Sequence, residues 1–451
     1  MKLLFGIHRS ATAVSLALMA LTGSLASRSL FAAEPAPFSK KFDFGTGDVP
    51  LGYTQVLPGT LFSTTTGFGF EPESAMKNEG AGAPPARTAG AAASPVFLFS
   101  VAVPEGNYRV TVTLGDANAA SVTTVKAESR RLMLENVTTK PGEFLTRSFV
   151  VNVRNRFLPP PPKNAPGGTE VRLNEREQGI FNWDDKLTLE FNGSAPKVTA
   201  VDIETADVPT IFLAGDSTVT DQPREPGASW GQMLTRFFKA DIAVANHAES
   251  GETLKSFLTE LRLDKILSQM KAGDYLFIQF GHNDSKVNWP QTYVEPATTY
   301  RAYLKTYIAE AKRRGATPVL VTSMNRRTFD ANGKITNSHG DYPEAVRQVA
   351  KEENVALIDL HAMSATLYEA LGPEKAPKAF SNDGKDATHH NNYGAYELAR
   401  CVVEGIKASK LPLADHLLDH LPPFDPARPD PLDTFAVPPS PGRSNIPPRG
   451  N

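Results

Sequence analysis

The first half of the chain is a series of short segments in which apolar and polar side chains alternate. In YRVTVTLG, at residues 108–115, every second side chain is apolar, which is the pattern of a strand with one buried face. Turn residues separate this segment from further β-branched or aromatic runs, namely SVTTVKA, FLTRSFVVNV, KLTLEFNG and KVTAVDIE. The pattern predicts a β-sandwich, to which we assign residues 34–206.

From Asp207 onward, apolar runs alternate with amphipathic stretches. The apolar runs are TIFLAGDS, ADIAVANHA, DYLFIQFGHND, TPVLVTSM and ALIDLHA, and the amphipathic ones include SWGQMLTRFFK, TYRAYLKTYIAEAKRRG, DYPEAVRQVAKEENV and NYGAYELARCVVEGIKAS. This alternation predicts an α/β domain over residues 207–421, with a parallel sheet and helices on both of its faces. Residues 422–451 are dense in proline and have no apolar period, which predicts a disordered tail.

The N-terminal residues have the order of features found in a signal peptide. Lys2 and Arg9 accompany an apolar stretch at residues 11–21 that is too short to span a bilayer as a helix. We place cleavage after Ala26, with a site as far along as Ala33 as the alternative, and a buried N-terminal helix is the competing interpretation. A signal peptide implies a secreted or periplasmic protein that is not inserted in the membrane after cleavage.

Charge and cysteine content narrow the classes of partner. The chain has 47 Lys and Arg against 49 Asp and Glu, a formal net charge of −2. Because no basic field is present to attract phosphate backbones, nucleic acid is not an expected partner. Cys401 is the single cysteine, so no internal disulfide can form, and its apolar helical surroundings predict a small buried side chain.

Polar residues cluster at the ends of the predicted parallel strands or in the loops beyond them. The four clusters are Gly215–Thr218, Asn246–Thr253, Gly281–Asp284 and Asp386–His389. Ligands of doubly wound sheets bind at the carboxyl ends of the strands, so these clusters are candidates for one site. Each cluster by itself has an ordinary structural interpretation, such as a tight turn or an aspartate that caps a helix.

Taken in order, the motifs AGDST, NHAESGET, FGHND and DATHHNNYGA, with SWGQ after the first, resemble the blocks of the SGNH hydrolases. The resemblance extends over about residues 208–410 and is strongest to the rhamnogalacturonan acetylesterase branch. It implies a flavodoxin-like α/β/α domain of three layers. Thr218 stands where the family's GDSL motif has leucine. The opening FDFGTG and GYTQVLPGTLFSTTTGFGFE resembles galactose-binding-like accessory domains.

The resemblance implies a role for each of five residues. A serine hydroxyl attacks an ester only when an imidazole takes its proton, and a carboxylate must orient that imidazole. The family pattern assigns these roles to Ser217, His389 and Asp386. The oxyanion of the tetrahedral intermediate would be held by the amides of Ser217 and Gly251 and by the side chain of Asn283. This chemistry requires no metal and no cofactor.

Two other patterns in the sequence point to different chemistry. GASWG, around Ser229, matches the nucleophile elbow of α/β-hydrolases, but it follows the polar loop TDQPREPGA where an elbow would follow a buried strand. His247, His282 and the pair His389–His390 suggest metal ligands, but the chain has no HExxH motif to accompany them. We therefore expect neither an elbow nor a metal site.

Four residues are candidates for contact with substrate or for packing. Trp230 lies in the SWGQ segment, which lines the entrance to the site in the resembled family. Arg326 and Arg327 follow a predicted strand, where they would either meet an acidic sugar at the rim or form a solvated pair. Trp183 would either stack on a sugar ring or pack between the two domains.

These features together predict a secreted or periplasmic esterase that removes acetyl groups from acetylated plant cell-wall polysaccharide, with pectic rhamnogalacturonan as the first choice. Another exported esterase of the same fold, namely a xylan deacetylase, a lipase or a thioesterase, is the alternative. A catalytically silent carbohydrate-binding protein is the alternative of another class.

Overall fold

The alternating segments of the first half form two sheets that pack face to face. The computed structural model describes residues 37–45, 47–72 and 96–444, so the predicted signal peptide and the last residues of the predicted tail lie outside it. In this part of the chain the strands of the two sheets are β1 (Ser39–Asp43), β2 (Thr54–Gln55), β3 (Phe68–Phe70), β4 (Val96–Ala102), β5 (Gly106–Gly115), β6 (Ser121–Ala127), β7 (Arg131–Thr139), β8 (Phe144–Val153), β9 (Lys186–Ala195) and β10 (Val198–Thr205).

One sheet has the strand order β2-β1-β10-β5-β8 and the other has the order β3-β4-β9-β6-β7. Neighbouring strands are antiparallel except in the short pair of β1 and β2. The alternating residues Val110, Val112 and Leu114 of β5 are fully buried in an apolar cluster with residues of the opposite sheet. The predicted β-sandwich is therefore confirmed, since alternation on β5 places one of its faces in the core.

The second half is built on a parallel sheet. Its strands are β11 (Thr210–Gly215), β12 (Ala243–Asn246), β13 (Tyr275–Gln279), β14 (Thr317–Val321) and β15 (Ala356–Ile358). They lie in the order β12-β11-β13-β14-β15, and every neighbouring pair is parallel. This order, 2-1-3-4-5 along the sheet, is that of the flavodoxin-like folds.

Helices cover both faces of the parallel sheet. They are α1 (Trp230–Leu234), α2 (Leu254–Thr259), α3 (Arg262–Gln269), α4 (Thr299–Arg313), α5 (Tyr342–Glu353), α6 (Leu360–Lys375) and α7 (Asn392–Ser409). Ile211 and Leu213 of β11 pack in the cluster formed with α1, α6 and α7. Phe212 and Ala214 pack in a second cluster with α2, α3, α4 and α5. The three-layer architecture predicted from the sequence is confirmed.

The sandwich and the α/β part share apolar core. Leu132 of β7 is fully buried in the same cluster as α1 and α7. The hydroxyl of Thr235, just after α1, donates to the Leu132 carbonyl at 2.7 Å. Contact of this kind excludes water along the boundary and places residues of the sandwich beside loops of the α/β part.

The proline-rich C-terminal segment differs from the prediction of a disordered tail. Over residues 422–444 the structure packs it against both parts of the chain. Lys126, which is 1% exposed, donates to the Pro438 carbonyl and to the Ser440 hydroxyl, each at 2.7 Å. The Ser440 amide donates to Glu225 at 2.9 Å. The prediction was wrong here because proline keeps its carbonyl acceptor, which a buried lysine needs, and an apolar period does not report such bonds.

None of the described helices is long enough and apolar enough to span a membrane.

Candidate active site

Ser217 lies in the turn that follows β11, at the carboxyl end of the parallel sheet. A side chain at Gly215 would place a Cβ 2.6 Å from Val219 and 2.9 Å from the Gln279 carbonyl, so only glycine lets the chain turn here. Ser217 is 3% exposed. Its Oγ lies 2.8 Å from Nε2 of His389, although the two residues are 172 positions apart in sequence.

His389 and Asp386 lie on one short turn, residues 386–389, which we call the relay turn. Asp386 Oδ2 lies 2.9 Å from His389 Nδ1, and Oδ1 accepts the amides of Thr388 at 2.7 Å and His389 at 2.9 Å. Burial alone would raise the pKa of Asp386, but the hydrogen bonds and charge of His389 outweigh it and hold the pKa well below its ordinary value. A carboxylate that stays ionised accepts a hydrogen bond from Nδ1–H, which leaves Nε2 to accept one from the Ser217 hydroxyl.

A series of buried hydrogen bonds supports residues 215–218, the turn that carries the predicted nucleophile, which we call the nucleophile turn. Trp230 Nε1 donates to Gln279, Gln279 donates to the Thr218 hydroxyl, and that hydroxyl donates to Asp216, each at 2.8 Å. Trp230 is 0% exposed, so the predicted contact with substrate at the entrance is wrong. The physical reason is that its indole N–H is used inside the core, where an unpaired donor would be costly. Thr218, at the family's leucine position, supplies the hydroxyl that links Gln279 to Asp216 in this series of hydrogen bonds.

The predicted oxyanion donors lie on two further loops. Gly251 has φ +85°, a conformation that favours glycine. Within the described ranges, the amides of Ser217 and Gly251 donate to no other group of the chain. Asn283 Nδ2 donates to the Glu252 carbonyl at 3.1 Å, which leaves its second N–H. Lys286 donates to Asn283 Oδ1 at 3.1 Å and so fixes the orientation of the amide.

Arg326 and Arg327 hold the relay turn. Arg326 donates to the Thr388 hydroxyl at 2.6 Å and to the His282 carbonyl at 3.1 Å. Arg327 donates to the Gly384 carbonyl at 2.6 Å. Both arginines are partly buried, and burial lowers the pKa of each. They are therefore not a solvated pair, and their contact with an acidic sugar stays a prediction.

Ser229, the alternative nucleophile, has a structural position. It lies at the start of α1, is 1% exposed, and donates its hydroxyl proton to the Thr220 carbonyl. This hydroxyl bonds no histidine in the part of the chain that the structure describes. GASWG is thus the beginning of a short helix and not a strand-to-helix elbow.

The other histidines considered as metal ligands are buried among core groups. His282 packs edge to face against His339 at 4.4 Å between ring centroids, and His390 lies 2.7 Å from the Tyr368 hydroxyl. Burial lowers the pKa of His390 to about 3 and that of His282 well below its ordinary value, which keeps both rings neutral. In the described ranges, no three His, Cys, Asp or Glu side chains are grouped to hold a metal ion.

Trp183 packs between the two parts of the chain, as one of its two interpretations proposed. Its indole N–H donates to Glu177 at 2.9 Å, Arg154 lies 4.5 Å from its ring centroid, and His247 packs edge to face against it. Cys401 is fully buried, as expected for a small apolar side chain in α7.

The sequence reasoning missed several residues that hold the site. Gln279 and Gln222 were not singled out, yet Gln279 supports Thr218 and Gln222 donates to the Ser217 carbonyl at 2.8 Å. A glutamine inside the apolar run YLFIQF was a usable signal, because a buried amide needs partners. Gln222, in a polar loop, gave no such signal.

Both parts of the chain match known protein families. Residues 213–396 match the GDSL-like lipase/acylhydrolase family, and residues 40–143 match the beta-agarase/YXIM esterase-like, galactose-binding domain-like family. The chain is 43% identical over 221 residues to the rhamnogalacturonan acetylesterase RhgT of Bacillus subtilis, which covers 46% of this chain and 94% of that protein.

A second relative aligns over both parts. The chain is 29% identical over 391 residues to the uncharacterized esterase YxiM of Bacillus subtilis, covering 83% of this chain and 92% of that protein. The crystal structure of YxiM has 25% sequence identity and a TM-score of 0.45, and the match covers 83% of this chain and 99% of that one. The chain is therefore an ester hydrolase of the GDSL-like lipase/acylhydrolase family, and a galactose-binding-like domain precedes its catalytic part.

Proposed function

We propose that this protein is an exported carbohydrate esterase that removes acetyl groups from pectic polysaccharide through an acyl-enzyme on Ser217. The observation that carries the proposal is the line of hydrogen bonds from Ser217 to His389 to Asp386, at 2.8 and 2.9 Å. The amides of Ser217 and Gly251 support the proposal too, because they donate to no other group in the described ranges.

In the first half of the reaction, Ser217 Oγ attacks the acetyl carbonyl carbon while its proton moves to His389 Nε2. Asp386 remains a carboxylate and stabilises the imidazolium that forms. The carbonyl oxygen becomes an oxyanion, which the amides of Ser217 and Gly251 and the side chain of Asn283 stabilise. When the intermediate collapses, the sugar oxygen leaves with the proton from His389, and the acetyl group stays on Ser217.

In the second half, water takes the place of the sugar. His389 Nε2 accepts a proton from water as the water oxygen attacks the acetyl-serine carbonyl. The same donors stabilise the second tetrahedral intermediate, whose collapse breaks the bond to Ser217 Oγ. The proton on His389 returns to that oxygen, so acetic acid is released and the free serine is restored.

Relatives and charge support pectic polysaccharide as the substrate. RhgT and a second matched protein of Bacillus subtilis, YesY at 43% identity over 213 residues, carry the name rhamnogalacturonan acetylesterase, for YesY as a probable activity. Lys286 lies against Asn283, and Arg326 lies against the relay turn, so two cations flank the predicted site. Positive charge there favours an acidic sugar such as galacturonate over a neutral xylan.

Acetate release tests the acceptor. Purified protein is assayed on acetylated rhamnogalacturonan, acetylated xylan, an aryl acetate and an aryl ester of a long fatty acid, in parallel with Ser217→Ala. We expect the fastest release from rhamnogalacturonan and loss of all activities in the variant. A preference for xylan or for the long acyl chain would replace the pectic substrate but leave the esterase. Full activity of Ser217→Ala would overturn the mechanism.

Determining the first residue of the mature protein tests export. The basic and apolar residues at the start of the chain support cleavage after Ala26, so the protein recovered outside the cytoplasm should begin at Ser27. N-terminal sequencing or intact mass distinguishes this from a start at Glu34. A protein that retains Met1 and stays inside the cell would contradict export.

A further inference from the structure

A short segment of the first half, residues 171–185, lies against α3 of the α/β part. Glu177 and Arg262 form a bidentate ion pair there, with Nη1 to Oε1 at 2.9 Å and Nη2 to Oε2 at 2.6 Å. Their side chains are 1% and 0% exposed. Arg262 also donates to the Arg172 carbonyl at 3.2 Å. This pair crosses the boundary between the two parts inside the protein, where water does not screen it.

The neighbouring residue, Arg176, contacts two side chains that adjoin the predicted site. Its Nε lies 2.9 Å from Glu249 Oε1, and its Nη2 donates to Gln222 Oε1 at 3.2 Å. Gln222 in turn donates to the Ser217 carbonyl at 2.8 Å. Arg176, a cation from the first half of the chain, is therefore connected to the nucleophile turn through a single side chain, that of Gln222.

The loop that carries Gly251 is held between these contacts. On one side of Gly251, the Glu249 carboxylate accepts the Ser250 amide at 2.7 Å. On the other, Glu252 lies 3.5 Å from Arg262 Nε, and its carbonyl accepts Asn283 Nδ2 at 3.1 Å. Both of the loop's glutamates thus face a cation that residues 171–185 supply or hold.

The arginines that face Glu249 and Glu252 affect the protonation of these two buried glutamates. Burial raises the pKa of Glu249 and raises that of Glu252 to about 8, and the facing arginines oppose both shifts. Glu249, as a buried carboxylate, must take up a proton or move toward water when it loses its cation. Glu252, with a pKa of about 8, holds its proton at neutral pH and would lose the position that Arg262 gives it. Each of these changes would alter the path of the backbone between residues 249 and 252, which carries the Gly251 amide.

We infer that Arg176 and Glu177 are positioning residues for the oxyanion donors, so that the first half of the chain completes the catalytic site. Arg176 acts through Glu249 and Gln222, and Glu177 acts through Arg262 and Glu252. The inference rests on the proposed function, because it assumes that Gly251 and Asn283 stabilise an oxyanion.

The test compares Arg176→Ala with a matched control, Glu105→Gln. Glu105 also joins the two parts, since its carboxylate lies 2.8 Å from Lys265 Nζ on α3, but it contacts neither the Gly251 loop nor Gln222. For each variant, four measurements are made: kcat and KM on an aryl acetate, kcat and KM on acetylated rhamnogalacturonan, the inhibition constant of phenylboronic acid and the midpoint of thermal unfolding. Arg176→Lys, which keeps the charge, serves as the rescue, and Glu249→Gln removes the same ion pair from the other side.

Arg176→Ala should lower kcat about 10- to 100-fold with KM within about threefold, because the oxyanion forms on the way to the tetrahedral intermediate and is absent from the bound substrate. The boronate, which forms a tetrahedral adduct on serine, should weaken in the same proportion. Arg176→Lys should recover part of the loss, Glu249→Gln should reproduce it, and Glu105→Gln should keep kcat within about twofold.

Three results would overturn the inference. The first is a kcat for Arg176→Ala within twofold of the native value, and the second is an equal loss of kcat in Glu105→Gln. The third is a change in Arg176→Ala that is confined to KM on acetylated polysaccharide, which would make Arg176 a substrate contact. Should Arg176→Ala not fold, Glu249→Gln decides by the same criteria. Ser217→Ala separates failure of this inference from failure of the proposed function. If Ser217→Ala is inactive and Arg176→Ala has native activity, only the positioning role is rejected. If Ser217→Ala is fully active, the proposed function is rejected.

Discussion

The two sides of the candidate site receive their support from different parts of the chain. The proposed relay side, Ser217 with Asp386 and His389, is held by arginines of the α/β part. They donate to neutral groups of the relay turn, namely the Thr388 hydroxyl and the Asp386 carbonyl. The proposed oxyanion side, Gly251 and Asn283, adjoins two buried glutamates. The arginines that face these glutamates belong to, or are anchored by, the segment before β9.

This difference shows that the sandwich contributes to the catalytic part more than a flexible tether would. On the relay side, the hydrogen-bonded pair of Asp386 and His389 joins residues three positions apart, so a local motif contains most of it. On the oxyanion side, the decisive pair joins residues 85 positions apart. Removing one partner of a buried ion pair costs about 3–5 kcal/mol, so the oxyanion side is the more sensitive to the boundary between the two parts.

The largest expected effect comes from removing the proposed nucleophile that both sides serve. Ser217→Ala should lower kcat on an aryl acetate by about 10⁴-fold or more, because the nucleophile and its proton relay are lost together. Ser229→Ala is the matched control, since that hydroxyl only bonds the Thr220 carbonyl, and it should keep activity within about threefold. The opposite outcome for the two serines would assign the reaction to the GASWG segment.

The next effect isolates the oxyanion side. Asn283→Ala should lower kcat by about 10²–10³-fold with little change in KM, because one donor to the oxyanion is removed. Steady-state kinetics on the aryl acetate measure both constants, and Asn337→Ala, at an exposed amide that bonds Gly340, should leave them unchanged. A change in KM alone would make Asn283 a ground-state contact.

A smaller effect isolates the relay side. Arg326→Ala should lower kcat about tenfold on both acetylated rhamnogalacturonan and the aryl acetate, because Thr388 and the relay turn lose their anchor. Arg347→Ala, whose guanidinium pairs with Asp359, is the control and should retain activity. A loss much greater on the polysaccharide than on the aryl acetate would identify Arg326 as a sugar contact.

The smallest effect concerns the packing beside the oxyanion side. Burial, helped by the charge of Asp216, raises the pKa of Asp284 to about 7, so the folded state holds a proton that the unfolded state releases near pH 4. This contribution to stability is complete below about pH 4 and is lost as the pH rises through 7. Asp284→Asn cannot titrate, so its unfolding midpoint should rise relative to the native protein by about 2–4 °C between pH 5 and pH 8.

Asp383→Asn, at an exposed carboxylate, is the control for that experiment and should follow the native curve. Thermal unfolding followed by circular dichroism at several pH values measures the difference. Parallel curves for the native protein and Asp284→Asn would show that Asp284 is ionised in the folded state throughout this range.

Motifs in the sequence were enough to name the residues that the structure brings together. Ser217, His389 and Asp386 were chosen from short motifs, and they meet because parallel strands deliver their loops to one edge of the sheet. Trp230 was misplaced for the opposite reason. Its motif neighbours suggested an entrance, but whether an indole faces solvent depends on the packing of α1 against β11 and α7, which a motif does not describe.

By itself, the sequence determined the period of each element, the order of strands and helices, and the residue types able to perform acyl transfer, because these depend on local spacing and side-chain chemistry. Only the tertiary structure decided which polar groups support that chemistry. The pairs Arg176–Glu249 and Glu177–Arg262, and the bonds from Lys126 to the proline-rich segment, join distant residues. Such partners are selected by burial, since a charge removed from water must find whatever donor or acceptor the fold brings beside it.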